Sequence, residues 1–367
     1  MIKNYYEKKY FKKRHNQKTN IFFDKPSFPK NCIVELTNAC NHACIFCTSP
    51  KMKRKISYLS KDTFNNFITQ AWSLGLEEVG FYATGEPFMV KNIDWFTNIT
   101  KKTGIKRVYV TTNGALASLE KIEKLVDCGL DSIKFSINAA TKESYKIIHG
   151  YDDFDKVLAN VRSIREWKIK KNKKLKLLAS FIYTDLTKKE ILIFKEKYVD
   201  LFEDVLYFPA DNQGGNNQKS HELYNNVTQD DLIKLSLEFV DSMCIMVFNR
   251  LHLTAEGFLT ACCVDYENNL TYADFNKQNM SLADEWHNQI ITGLRKKHIS
   301  KKLDNLLCFT CMTGKQRPYE PISNLTGMKS QKNNKLKYLE DRLKIHNNKI
   351  TRSDLSKNSK IFKNIQI

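Results

Sequence analysis

Ten cysteines stand in this chain of 367 residues, and most of them are grouped. Cys40, Cys44 and Cys47 lie in CNHACIFC, a C-x3-C-x2-C triplet. Thiolates are the usual ligands of iron–sulfur clusters. Three of them on one loop suit a cubane whose fourth iron has no protein ligand. Zinc sites normally close with a fourth Cys or His, and His42 lies inside the loop, so a zinc site is the alternative at this point. Farther along, Cys244, the adjacent Cys262 and Cys263, and Cys308-x-x-Cys311 make a second set. In a reducing compartment such grouping points to metal or catalysis rather than to disulfides. Cys32 and Cys128 stand apart, in a strand pattern and a helix pattern, and read as small core residues.

Strand–helix alternation must position the first set. Strands are expected at 32–37, 77–83, 107–112, 132–137, 175–183 and 204–209. Helices are expected at 61–74, 118–129, 154–170 and 188–200. The first has Ser60 as its cap and Phe64, Phe67, Ile68, Ala71 and Trp72 as its apolar face; the second ends at Gly129. Connections of this length demand parallel pairing and right-handed crossovers. The polar, Gly/Asn-rich stretch 211–220 reads as a long loop. The division is therefore a basic arm over 1–30, an α/β barrel unit over 31–215, a small cysteine-bearing domain over 216–320 and a basic tail over 321–367. A short helix is expected in the tail at 336–345.

Further motifs follow the predicted strands in order. TGEP (Thr84 to Pro87) follows the second, TTNG with Asn113 and Gly114 the third, and SINA with Ser136 and Asn138 the fourth. In parallel barrels chemistry sits at these C-terminal strand ends. Together with Phe46 in the C-x3-C-x-aromatic-C pattern, this set resembles the radical S-adenosylmethionine (SAM) superfamily. The resemblance implies a partial (β/α)6 TIM-like barrel with a [4Fe–4S] cluster on Cys40, Cys44 and Cys47. SAM would chelate the open iron and be cleaved to methionine and a 5′-deoxyadenosyl radical, which abstracts hydrogen from substrate. SAM contacts are implied for Phe46, Thr84, Gly85, Glu86, Asn113, Ser136 and Asn138. Thr84 replaces the first glycine of the G-G-E-P motif, and His149–Gly150 stands where relatives often carry Arg–Gly.

The order Cys244, Gly257-x4-Cys262, Cys308-x-x-Cys311 resembles the auxiliary-cluster domains called SPASM and its shortened form, twitch. Five cysteines suffice for one auxiliary [4Fe–4S] cluster, on Cys244, Cys262, Cys308 and Cys311, with Cys263 spare; a zinc knuckle is the alternative. Cys263 is a structural thiol, an alternate ligand or a hydrogen-atom donor, and as the last it is the candidate catalytic residue. A fully ligated cluster suits electron transfer. The resemblance thus extends to twitch-type alcohol dehydrogenases and implies oxidation, or epimerisation, at a carbon of a sugar- or cyclitol-type small molecule. It also implies an external electron donor of flavodoxin or ferredoxin type. A peptide maturase is the other enzymatic reading. The residues do not single out a base among Asp211, Glu256 and Asp265. Trp286 and Arg295 read as packing and surface charge.

The net charge of +19 is concentrated at the ends: +7 in residues 1–30 and +8 in 321–367, leaving +4 for the body. Basic arms can hold nucleic acid. No RNP-like or zinc-finger motif accompanies them, and a metal-binding, nucleic-acid-holding protein leaves TGEP, TTNG and SINA unexplained. The 42% hydrophobic content supports a substantial core. No apolar h-region follows the first charges, and no run approaches the roughly 20 apolar residues of a membrane span. The expected location is the cytoplasm.

Overall fold

The computed structural model describes residues 22–216, 243–315 and 317–326. The helix expected at 336–345 lies outside them, as do residues 217–242 of the expected second domain.

Nine strands form one sheet in the order β6-β5-β4-β3-β2-β1-β7-β8-β9. They are β1 (Asn31–Val34), β2 (Glu78–Phe81), β3 (Arg107–Thr112), β4 (Ser132–Ser136), β5 (Lys176–Tyr183), β6 (Asp204–Pro209), β7 (Arg250–Leu253), β8 (Phe258–Thr260) and β9 (Thr271–Asp274). From β1 to β6 all pairs are parallel. This is the α/β, partial-barrel class expected from the sequence. The sheet also runs past residue 215. β7 pairs parallel with the free side of β1, Asn31 opposite Arg250 and Val34 opposite Leu253. β8 and β9 then continue antiparallel.

Helices cross between the parallel strands: α1 (Lys61–Ser73), α2 (Ile93–Thr103), α3 (Leu119–Asp127), α4 (Lys142–His149), α5 (Phe154–Lys170) and α6 (Glu190–Lys197). Beyond β6 come α7 (Met246–Asn249), α8 (Leu282–Glu285), α9 (Gln289–Ile299) and α10 (Leu307–Thr313). Ser60 caps α1 by accepting from the Thr63 amide, and Phe64, Phe67, Ile68 and Ala71 are buried. Trp72, expected on that face, is 48% exposed. Eight residues beyond Phe64 at 100° each places it 80° round the helix, at the margin of the stripe. Helices α2 and α4 were not expected; α4 is short and polar, fixed by Thr141 at its N-cap and Gly150 in the left-handed region at its end.

Alternation separates the two faces of the sheet. Val79, Phe81, Val108, Val110, Ile133, Phe135, Leu177 and Phe181 belong to the apolar core. The intervening positions, among them Glu78, Arg107, Tyr109, Ser132 and Lys134, make a polar inner face. A face built for packing alone would be apolar; here polar groups pair across the strands, Arg107 with Glu78 at 3.7 Å and with Ser132 Oγ at 3.4 Å.

Candidate active site

The cysteine loop leaves β1 and folds back over the strand ends. The Ala43 and Ile45 amides donate to the carbonyls of His149 and Ile148, which fastens the loop to the end of α4. Cys40, Cys44 and Cys47 are each partly exposed. Phe46 is 5% exposed and packs on Ile148 and Ala210, against Cys44 and Cys47. It shapes the loop from behind.

His42 is no candidate fourth ligand. It is buried, with Nε2 3.1 Å from Asp153 Oδ2 and Nδ1 3.2 Å from His149 Nδ1. Its ring stacks on Tyr151. His42, Cys44 and His149 do converge, but the ring nitrogens already have partners. His149 Nε2 lies 3.3 Å from the Asn138 amide, a donor, and must accept there. The neutral ring therefore carries its proton on Nδ1, directed at His42 and at Cys44 Sγ, 3.5 Å away. Burial first, and His42 second, hold the His149 pKa well below the usual histidine value. The sequence reading left His149 out of the site; its only signal was the His–Gly pair in the Arg–Gly place.

The TGEP segment is locked against the cysteine loop. A Cβ on Gly85 would sit inside the Thr37 and Ala39 carbonyl oxygens, so only glycine permits this approach. The Glu86 amide donates to Ala39 O (2.7 Å). The buried Glu86 carboxylate accepts from the Phe88 and Asn113 amides and from Thr112 Oγ1, at 2.8–3.0 Å. Burial pushes its pKa up to about 7 despite these bonds. Glu86 thus ties the second strand end to the third. Asn113 in turn donates from Nδ2 to Asn41 Oδ1 (2.7 Å), with Cys40 Sγ 4.0 Å away. Thr84 is tied to Glu35 on the adjacent strand end. Ser136 Oγ is 3.4 Å from Ser180 Oγ, and Asn138 Oδ1 accepts from the Ile182 amide. The expected contact residues therefore gather at neighbouring strand ends, and Glu86 and Asn138 are engaged in holding those ends together.

Arg54, seven residues after Cys47, is buried between two carboxylates. It donates to Glu35 Oε2 at 2.5 Å and to both oxygens of Glu256 at 2.8 and 2.5 Å. Burial alone would raise the Glu35 pKa; Arg54, Thr84 and the Ala255 amide overcome it and hold Glu35 low. Glu256 sits on the β7–β8 turn, so this triad binds the cysteine loop to the second cysteine region. Tyr266 adds a second tie: its hydroxyl lies 3.6 Å from Cys47 Sγ and donates to Gln213 Oε1.

The second set also converges. Cys262 and Cys263 hydrogen-bond each other, and Cys244 and Cys311 lie within electrostatic reach of Cys262. The bond to Cys263, then burial, pushes the Cys262 thiol up, and burial followed by Cys244 pushes Cys311 up to about 12. Thiols that repel one another's ionised forms suit a shared cation, so the donor set fits an iron–sulfur group. Cys263 itself is held low by Cys262 and His252. Asn212 donates to the Thr310 and Cys311 carbonyls, so the expected long loop packs on α10.

The candidate bases all have structural employment. Glu256 holds Arg54, Asp265 accepts from the Asn269 and Leu270 amides and Thr260, and Asp211 accepts from Gln213. Arg295 is not a surface charge. It is fully buried, stacked 4.0 Å over Trp286, and donates to the Val247 and Trp286 carbonyls. Cys128 is only partly buried, at the end of α3.

Fold and loop together define a parallel α/β protein with three cysteines of one loop at its strand ends. Residues 34–191, somewhat under half of the chain, match the family described as the Radical SAM superfamily. The family implies a [4Fe–4S] cluster and SAM. A probable GTP 3′,8-cyclase of Metallosphaera sedula is 31% identical over 133 residues, 36% of this chain and 41% of that protein. One of Saccharolobus solfataricus is 32% identical over 130 residues, 35% and 42% of the two chains. The matched stretch thus spans about two fifths of these curated relatives. Among solved structures, BtrN in complex with AdoMet and 2-DOIA is similar, with TM-score 0.50 and 18% identity over 79% of this chain and 98% of that one. Streptococcus suis SuiB bound to the precursor peptide SuiA is similar with TM-score 0.57 and 14% identity over 74% and 68%. Both show a shared fold. Among the described residues no helix is long and apolar enough to cross a membrane.

Proposed function

We propose that this chain is a radical SAM oxidoreductase with a twitch-type auxiliary [4Fe–4S] cluster, acting on a carbon of a small molecule of sugar or cyclitol type. Cys40, Cys44 and Cys47 would hold the first cluster, and Cys244, Cys262, Cys308 and Cys311 the second. When bound, the first cluster with SAM would supply a 5′-deoxyadenosyl radical, and the second an acceptor for one electron. The chain's own part is positioning. Glu86 and Asn113 fix the strand ends beneath the cysteine loop, Phe46 backs the loop, and Arg54 and Tyr266 set the loop against the second thiol set. Cys263, bonded to Cys262, is the candidate hydrogen-atom donor if the reaction is an epimerisation. A flavodoxin- or ferredoxin-type protein would supply the starting electron.

The observation that carries this reading is that Cys244, Cys262, Cys308 and Cys311, far apart in sequence, gather within electrostatic reach of one another. Anaerobic reconstitution should yield about eight iron and eight sulfide per chain, and about four after Cys40, Cys44 and Cys47 are changed to Ala. The triple variant should form no 5′-deoxyadenosine. Zinc in place of iron, or 5′-deoxyadenosine from the triple variant, overturns the reading. The likeness to SuiB bound to its precursor peptide favours a peptide maturase as the second reading. Solvent deuterium appearing in product, and lost in Cys263→Ala, would mark epimerisation rather than dehydrogenation.

A further inference from the structure

Tyr266 stands between the two cysteine regions, and its hydroxyl has more claims on it than one proton can meet. It is 4% exposed and follows Cys263 by three residues. Its hydroxyl oxygen lies 3.6 Å from Cys47 Sγ and 2.7 Å from Gln213 Oε1. A phenol carries one hydrogen. Gln213 cannot turn its amide over, because its Nε2 donates to Asp211 Oδ1 at 2.7 Å and a carboxylate only accepts. With Cys47 a thiol, both bonds can be made: the S–H donates to the hydroxyl, and the hydroxyl donates to Gln213.

Ligation changes that balance. A cysteine that holds iron has given up its thiol proton, and its sulfur can only accept. Cys47 Sγ already accepts from the amide of Ser49, in its own loop, at 3.4 Å. Left pointing at Gln213, the Tyr266 hydroxyl would present an oxygen lone pair to that sulfur. Turned to Cys47, it becomes a second donor to the sulfur and abandons Gln213. No covalent bond forms or breaks in this turn; one O–H bond rotates.

Gln213 in turn belongs to segment 211–216, which rests on the other cysteine region. Asn212 Nδ2 donates to the Thr310 and Cys311 carbonyls. A Cβ on Gly215 would come within 3.0 Å of the Cys311 amide nitrogen, so the segment lies flush on α10. Asn216 Nδ2 donates to the carbonyl of Val264, next to Cys263. The acceptor that competes for the Tyr266 proton is thus held in place by the helix that carries Cys308 and Cys311.

We infer that Tyr266 is a positioning residue whose hydroxyl proton is contested between Cys47 and Gln213. Through it, the packing of segment 211–216 on α10 tunes the reduction potential of a cluster on the first triplet. The inference rests on the radical SAM reading for that cluster, and it adds a link by which the second cysteine region acts on the first.

The test is an EPR-monitored redox titration of the anaerobically reconstituted full chain, with iron and zinc counted on each sample. The first cluster's signal is the one lost when Cys40, Cys44 and Cys47 are changed to Ala. Tyr266→Phe keeps the ring and removes the hydroxyl. Hydrogen bonds to cluster sulfurs raise the potential, so the midpoint should fall by about 59 mV or more, a tenfold change for one electron. Gln213→Met removes the competing acceptor and should move the midpoint the opposite way. Asn212→Ala unfastens the segment from α10 and should raise it as well. In the Tyr266→Phe background neither second change should shift it further, since no hydroxyl proton is left to share. A midpoint that stays put in Tyr266→Phe, or falls in all three single variants as lost packing would make it, overturns the inference. With four iron on the first triplet, such a result sinks the inference alone. Zinc or no metal there sinks the radical SAM reading and the inference with it.

Discussion

Replacing Arg54 by Met should expose how tightly the two cysteine regions are coupled. The guanidinium is 1% exposed, and its carboxylate partners Glu35 and Glu256 are 3% and 12% exposed. Removing one member of a buried ion group costs roughly 3–5 kcal/mol, because the remaining charge is buried without compensation. Here two carboxylates are left, and they also repel each other. The deficit has a definite pH dependence. In Arg54→Met the Glu35 carboxyl, left with its burial and without its cation, takes a folded-state pKa above its unfolded value. Stability is then retained at low pH and lost as pH rises through the raised value. Urea unfolding under anaerobic conditions, followed by circular dichroism, should show a deficit of about 3–5 kcal/mol at pH 8 that narrows toward pH 5. Adding Glu35→Gln and Glu256→Gln should recover much of it. A deficit below about 1 kcal/mol at every pH, as for an exposed pair, would refute the argument.

Glu86 gives a second pH effect. Burial holds its pKa at about 7 against 4.5 in the ordinary case, so folding binds a proton between those values. The associated stability, on the order of 3 kcal/mol, is present below about pH 4.5 and lost as pH rises through 7; Glu86→Gln should flatten that slope in the cluster-free chain. Gly85→Ala forces a methyl group into the Thr37 and Ala39 carbonyls; it should cost about 1–3 kcal/mol and lower the iron retained on the first triplet while sparing the second set. His149→Leu removes the Nδ1–H donor 3.5 Å from Cys44 Sγ. Hydrogen bonds to cluster sulfurs raise the reduction potential, so an EPR-monitored titration should find the first cluster harder to reduce.

The parallel strands were legible because each carries a short β-rich run between helical ones, and the triplet because its spacing is local. Phe64, Phe67, Ile68 and Ala71 showed their face through periodicity alone. What escaped was non-local or locally weak. The Lys142–His149 helix is polar and short, and its stability comes from a cap, a left-handed Gly150 and the packing of Tyr145 on His149 at 4.0 Å. No pattern near Arg54 announces two carboxylates that meet it only in the folded chain. Arg295 looks like any helix-surface charge until Trp286 and two carbonyls are seen to enclose it. Likewise β7 reads as part of an irregular cysteine region because its partner strand lies at the opposite end of the sequence.

That pairing also orders events during synthesis. β1 is an interior strand, yet one of its two neighbours is made only when Arg250–Leu253 emerge. The clamp on the cysteine loop waits just as long, since Arg54 meets a partner 202 residues later. Until then the nascent chain displays an open β edge and a three-thiol loop held only by the end of α4. Such long-range closure is slow and leaves edges open to misassociation. Closure around the first site is therefore a late step, complete only after the second cysteine region has folded back on the first strand.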